Sequence, residues 1–119
     1  MGQLDRAIDA HSERAFAFLE ALVRVPSVAG FEQPAMEVFA HEATALGLTV
    51  ERLPFSNGPL GDPRAGVAPA VEQLSEGRYQ IVATTPGDGE LLLLLNGHMD
   101  VVPAASPSLW TNPPFEPVR

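Results

Sequence analysis

The sequence predicts an α/β fold in which two helices precede a set of strands. Three observations carry that expectation. Leu4, Ile8, Ala15, Leu19 and Leu22 recur at spacings of three, four or seven residues. A second apolar stripe runs through Met36, Phe39, Ala40, Ala43 and Leu46 and stops at Gly47. Farther on, Glu90 to Asn96 encloses five consecutive leucines, closed by Asn96-Gly97. The first two patterns have the helical period. The third is too short for a helix core and reads as a central strand buried on both faces.

The elements follow in order. Helix one is expected from Gln3 to Arg24, with Asp5, Asp9, Glu13 and Arg14 between the apolar positions. Pro26 ends it, because the residue before a proline is pushed out of helical geometry, and residues 27–30 form a loop. Helix two is expected to begin at Pro34, whose fixed φ suits a first helical turn. Gly47 then supplies a left-handed C-terminal cap, and Leu48 to Leu53 alternates as a strand. Pro54 to Gly77 contains the turn clusters Asn57-Gly58-Pro59 and Gly61-Asp62-Pro63 and reads as a surface excursion. Within it, Ala65 to Leu74 is either a short helix or an extended loop. Arg78 to Thr84 is a strand with Tyr79, Ile81 and Ala83 on one face, and residues 86–89 form a turn before the leucine run. This order points to a layered α/β architecture.

Composition narrows the function classes. Of 119 residues, 45% are hydrophobic and 18% charged, a globular balance. Most of the 12 prolines lie from Pro54 onward, so the second half should be rich in turns. The net charge of −8 disfavours phosphate backbones and anionic lipids, so neither nucleic acid nor membrane is expected as a partner. The absence of cysteine excludes disulfides, thiol catalysis and iron–sulfur ligation. No apolar signal core follows Met1 to Arg6, and Leu91–Leu95 is far too short to span a bilayer. A soluble, cytoplasmic protein is the expectation.

The chemistry concentrates just past the leucine run. In open α/β sheets, ligands bind outside the carboxyl ends of the strands, and His98 and Asp100 stand at such an end. An imidazole is a common metal ligand. A carboxylate two residues on, in extended backbone, points to the same side and can accept the other ring N–H. On His-x-Asp alone, a strand-end histidine followed by a turn-capping aspartate is the ordinary outcome. His11 and His41 lie on the expected helices and read as surface residues, and Glu116 as a solvated loop charge. Trp110 with Phe115 either lines an approach to the site or anchors a proline-rich loop. Gly97 is expected to permit close backbone approach, and Arg78 reads as structural or solvated.

The wider context is more specific than the tripeptide. The leucine run, then residues Asn96-Gly97-His98-Met99-Asp100-Val101-Val102-Pro103, then Trp110 and Pro113-Pro114-Phe115 closely resemble one signature. It is that of the aminoacylase/acetylornithine deacetylase/succinyl-diaminopimelate desuccinylase family of dimetal metallopeptidases. Leu22-Val23-Arg24-Val25-Pro26-Ser27-Val28, Gly30-Phe31-Glu32 and Leu46-Gly47-Leu48-Thr49-Val50 match the family's opening. The resemblance implies that residues 1–119 are the N-terminal portion of a layered catalytic domain with mixed-sheet strands, lacking the rest of that domain and a second domain.

It also implies that His98 binds one of two divalent metal ions and that Asp100, in the catalytic site, holds the His98 ring. Zinc is the first expectation for the metal, with cobalt or manganese as alternatives. The implied substrate is a small-molecule N-acyl amino acid or peptide, cleaved at its amide bond by a water bridging two metals about 3.5–4 Å apart. A homodimer is an implied assembly of a full-length parent. The family's general base and remaining ligands have no counterpart in these residues, and a zinc site needs three or four protein ligands. Two other readings therefore stand beside the enzyme portion. One is a non-catalytic module whose uncovered apolar surface binds a partner or itself. The other is a mononuclear metal protein using His98, Asp100 and another carboxylate.

Overall fold

The computed structural model describes residues 2–55, 62–65, 77–90 and 93–119. Helix α1 spans Gln3–Val23 and α2 spans Gln33–Ala45. Strand β1 spans Thr49–Pro54 and β2 spans Tyr79–Thr84. The fold is therefore α/β, with two helices followed by a two-stranded antiparallel sheet. The residues divide into two units, Met1–Val38 with Met99–Arg119 and Phe39–His98. Among the described residues no helix is long and apolar enough to cross a membrane.

Helix α1 starts where the Gly2 N–H donates to Asp5 Oδ2 at 2.6 Å, with an acidic side chain suited to the positive helix end. It buries no residue. Its apolar stripe is expected from the spacing, yet Leu4, Ile8 and Leu19 are all exposed. After Pro26 the chain tightens. The Ser27 N–H donates to the Val25 carbonyl and the Val28 N–H to that of Pro26, two successive three-residue turns. A four-residue turn follows, closed by Phe31 N–H to Val28 O at 2.8 Å, with Gly30 at φ 93 in its third position. A positive φ there is the requirement of a type II turn, which glycine meets without strain. The Gly30 N–H donates to Oε1 of the buried Glu32 at 2.8 Å.

Pro34 lies in the first turn of α2, as expected, with Gln33 as the first helical residue. The helix buries Ala35, Ala40 and Ala43 and half-buries Met36 and Phe39. Leu46, assigned to the stripe from spacing, is exposed because the helix has already ended at Ala45. The end is a Schellman cap: Gly47 N–H meets Thr44 O at 2.9 Å and Leu48 N–H meets Ala43 O at 3.0 Å. Gly47 sits at φ 82, as its position in the sequence requires.

The cap feeds directly into β1. Its register with β2 runs from Thr49 opposite Thr84 to Pro54 opposite Tyr79. Tyr79, Ile81 and Ala83 form the half-buried face of β2, and Gln80, Val82 and Thr84 the exposed one. That alternation is the one read from the sequence. Arg52 stands over the Tyr79 ring at 6.0 Å and Arg78 over the Phe55 ring at 5.3 Å. These cation–π contacts lie at the end of the strand pair from which the connection between β1 and β2 departs. Arg78 is thus a structural residue, as expected. Of the excursion between the strands, Pro63–Ala65 is one 3-10 turn, with the Arg64 guanidinium on Asp62 at 2.6 Å. The helix-or-loop alternative for residues 66–74 lies outside the described residues.

The leucine strand is the main correction. Residues 93–96 carry no strand pairing among the described residues, and Leu93, Leu94 and Leu95 are 70%, 75% and 83% exposed. Leu91 and Leu92 lie outside the described residues. A central strand needs ladder partners on both edges and cover on both faces. The described sheet offers neither, being β1 and β2 alone. Among the described residues the sheet is this antiparallel pair, and one isolated parallel bridge joins Val28 and Val101 in the other unit.

The cap generates a test. No described atom lies within 4 Å of where a Gly47 Cβ would stand, so a substitution there is penalised by φ alone. Gly47→Ala should destabilise by about 1 kcal/mol and Gly47→Asn by less, since asparagine tolerates the left-handed region. Urea denaturation measures both, and an unchanged Gly47→Ala midpoint would refute the cap's role.

Candidate functional site

The site is built on the segment that follows the leucines. His98 is exposed and lies in irregular backbone at the end of the second unit. Asp100 is exposed and lies in the first unit, between Met99 and Val101. Both take part in interactions of their own. Among the described residues no atom approaches within 4 Å of a Gly97 Cβ position, so none of them makes the close approach expected there.

What holds the neighbours of Asp100 is a residue 72 positions earlier. Ser27 is 3% exposed. Its hydroxyl donates to the Met99 carbonyl at 2.7 Å, and its carbonyl accepts the Val101 N–H at 3.0 Å. Val28 and Val101 form the parallel bridge. The residues on either side of Asp100 are therefore tied to the loop after α1. The sequence pattern marks residues 27–30 as a loop and singles out no role for Ser27. No local pattern marks a contact across so many residues, and the only signal available was its place in the matched Val25-Pro26-Ser27-Val28 tract.

Downstream, Val101 to Ala105 runs along an apolar cavity of about 430 Å³. Leu22 and Val25 line it from the end of α1, and Trp110, Pro114 and Phe115 from the proline-rich segment. Both aromatic residues line this cavity, with Trp110 48% exposed. The tail returns to α1 again at Arg119, whose guanidinium pairs with Glu13 at 2.8 Å and with Glu20, and lies 5.4 Å from the Phe16 ring centroid. Glu116, His11 and His41 are exposed, as expected.

The donor set can be tested against a metal centre. His98 supplies an imidazole and Asp100 a carboxylate, which suit a divalent ion and its orienting partner. Among the described residues, no group of three or more histidine, aspartate or glutamate side chains gathers. These residues therefore do not complete a metal centre, and the mononuclear reading lacks a third ligand among them.

No family model matches the chain. Curated relatives do. The chain is 38% identical over 99 residues to a succinyl-diaminopimelate desuccinylase of Methylobacterium sp. (strain 4-46), covering 83% of this chain and 21% of that protein. A desuccinylase of Methylorubrum populi is 35% identical over the same shares. One of Caulobacter sp. (strain K31) is 31% identical over 100 residues, 84% of this chain and 20% of its own. All three relatives are named succinyl-diaminopimelate desuccinylase, and by a match to part of their length the chain belongs to the family that contains them. It spans about a fifth of the length of the relatives it matches.

The tail contacts carry a pH prediction. The hydrogen bond from Arg119 holds the Glu20 carboxyl below its ordinary value of 4.5. A carboxyl depressed on folding stabilises the fold above its unfolded pKa and loses that contribution as pH falls through the folded value. Thermal stability should therefore decline on acidification below about pH 4.5. Arg119→Gln should make that decline shallower in melting curves from pH 7 to 3. Equal slopes in the two proteins would count against the pairing.

Proposed function

We propose that this chain is the opening portion of the catalytic domain of a metal-dependent amidohydrolase. The carrying observation is the 38% identity over 99 residues to a desuccinylase, supported by the signature around His98. The bond cleaved is the amide of an N-acyl amino acid or small peptide, and the relatives' names narrow the acyl group to succinyl. His98 serves as one metal ligand, and Asp100 accepts its second ring N–H, which selects the ligating tautomer. Two bound divalent ions, zinc foremost, would supply an activated water and charge stabilisation for the oxyanion. The other ligands and the general base belong to protein beyond these 119 residues. A cytoplasmic location, a small-molecule substrate and a homodimer of the longer protein belong to the same proposal.

The test is an assay of the full-length protein against N-succinyl and N-acetyl amino acids and dipeptides, with and without chelator. Hydrolysis of N-succinyl substrates is expected, abolished by chelator and restored by zinc, cobalt or manganese. His98→Ala should eliminate it, and Asp100→Asn should lower it by about 10- to 100-fold. Activity indifferent to chelator would sink the metal mechanism.

A second reading has its own observation, the exposure of Leu93, Leu94 and Leu95. Apolar surface of this kind marks an interaction site, so the 119 residues alone would act as a self-associating or partner-binding module. Size-exclusion chromatography should then show dimers or larger species that dissociate in Leu94→Lys. A stable monomer at high concentration refutes it.

A further inference from the structure

We propose that Ser27 is a positioning residue for Asp100, acting through the backbone on both sides of it. The inference rests on the functional reading above for its consequence, and on geometry alone for its mechanism. Ser27 is buried, and all three of its polar groups are engaged: its N–H with Val25 O, its carbonyl with Val101 N–H, and its hydroxyl with Met99 O. Two of these bonds reach the residues immediately before and after Asp100. A residue gripped at both neighbours has little freedom in its own φ and ψ, so the direction of its Cβ is set. Asp100 is itself exposed and in irregular backbone, where nothing in its own secondary structure would fix it. The serine must be small to stay buried here and must donate a hydrogen bond to the Met99 carbonyl, whose donor lies in the loop after α1. Threonine meets the second condition and alanine does not. A carboxylate that orients a ligating imidazole needs this kind of placement, since small misplacements around a reacting centre cost large factors in rate.

The experiment uses the full-length protein in two arms. In the metal-free protein, amide exchange at Val101 and the NMR shifts of Asp100 are compared in wild type, Ser27→Ala, Ser27→Cys and Ser27→Thr. Ser27→Ala should speed Val101 exchange by about 5- to 10-fold, the loss expected for one buried hydrogen bond. Ser27→Thr should stay near wild type. Ser27→Cys, a near-isosteric and weaker donor, should fall between them and replaces Ser27→Ala if that variant does not fold. In the second arm, zinc affinity and kinetics are read on the same variants. Ser27→Ala should lower kcat by about 10-fold with KM within about twofold, weaken zinc binding, and be rescued by Ser27→Thr. Unchanged Val101 exchange and Asp100 shifts in Ser27→Ala overturn the proposal. So does faster exchange with wild-type kcat and zinc affinity, which would make Ser27 a structural residue only. If the wild-type protein neither binds zinc nor hydrolyses the substrates, the functional reading fails, and the first arm still decides the gripping.

Discussion

The first unit depends on a contact between the loop after α1 and the segment after the leucines. Ser27 makes both hydrogen bonds of that contact, and the Val28–Val101 bridge extends it. Without it, nothing in the local sequence would bring residues 99–101 to the end of α1. With it, Val101 to Ala105 begin a tail that runs on through Trp110 and Phe115 and closes onto α1 at Arg119. The apolar cavity and the Arg119 pairs are downstream of this junction. The ion pairs are exposed and add little to stability. The buried hydroxyl costs more to disturb, because it would leave the Met99 carbonyl without its donor.

Local structure was legible where one short-range rule decides it. The Gly47 cap, the alternation of β2 and the limits of α1 and α2 to within a residue or two each follow from spacing, a fixed φ or a positive φ. These are properties of a few adjacent residues. The functions of Ser27 and of the buried Glu32 were not legible, because each depends on how a tight loop folds or on a partner far along the chain. The leucine run misled for a related reason. Five leucines state that a segment is apolar enough for a central strand, but a strand exists only with neighbours to accept its hydrogen bonds. The family, in contrast, was legible from the motif, and the relatives agree with it at the level of the class.

The exposed leucines and the site are one problem. Burying a leucine side chain contributes about 1.5–3 kcal/mol, so Leu93, Leu94 and Leu95 represent a sizeable driving force not used among the described residues. His98 follows them by three residues. Whatever surface covers the leucines must also pair their backbone, since apolar cover alone would bury unsatisfied amide groups. Pairing of that kind sets the strand's direction and hence the direction in which His98 leaves it. Asp100, on the other side of Met99, is placed by an independent device, the Ser27 grip. The direction of His98 thus follows from how the leucine segment is paired, and that of Asp100 from the Ser27 hydrogen bonds, so the two proposed site residues are set by different contacts.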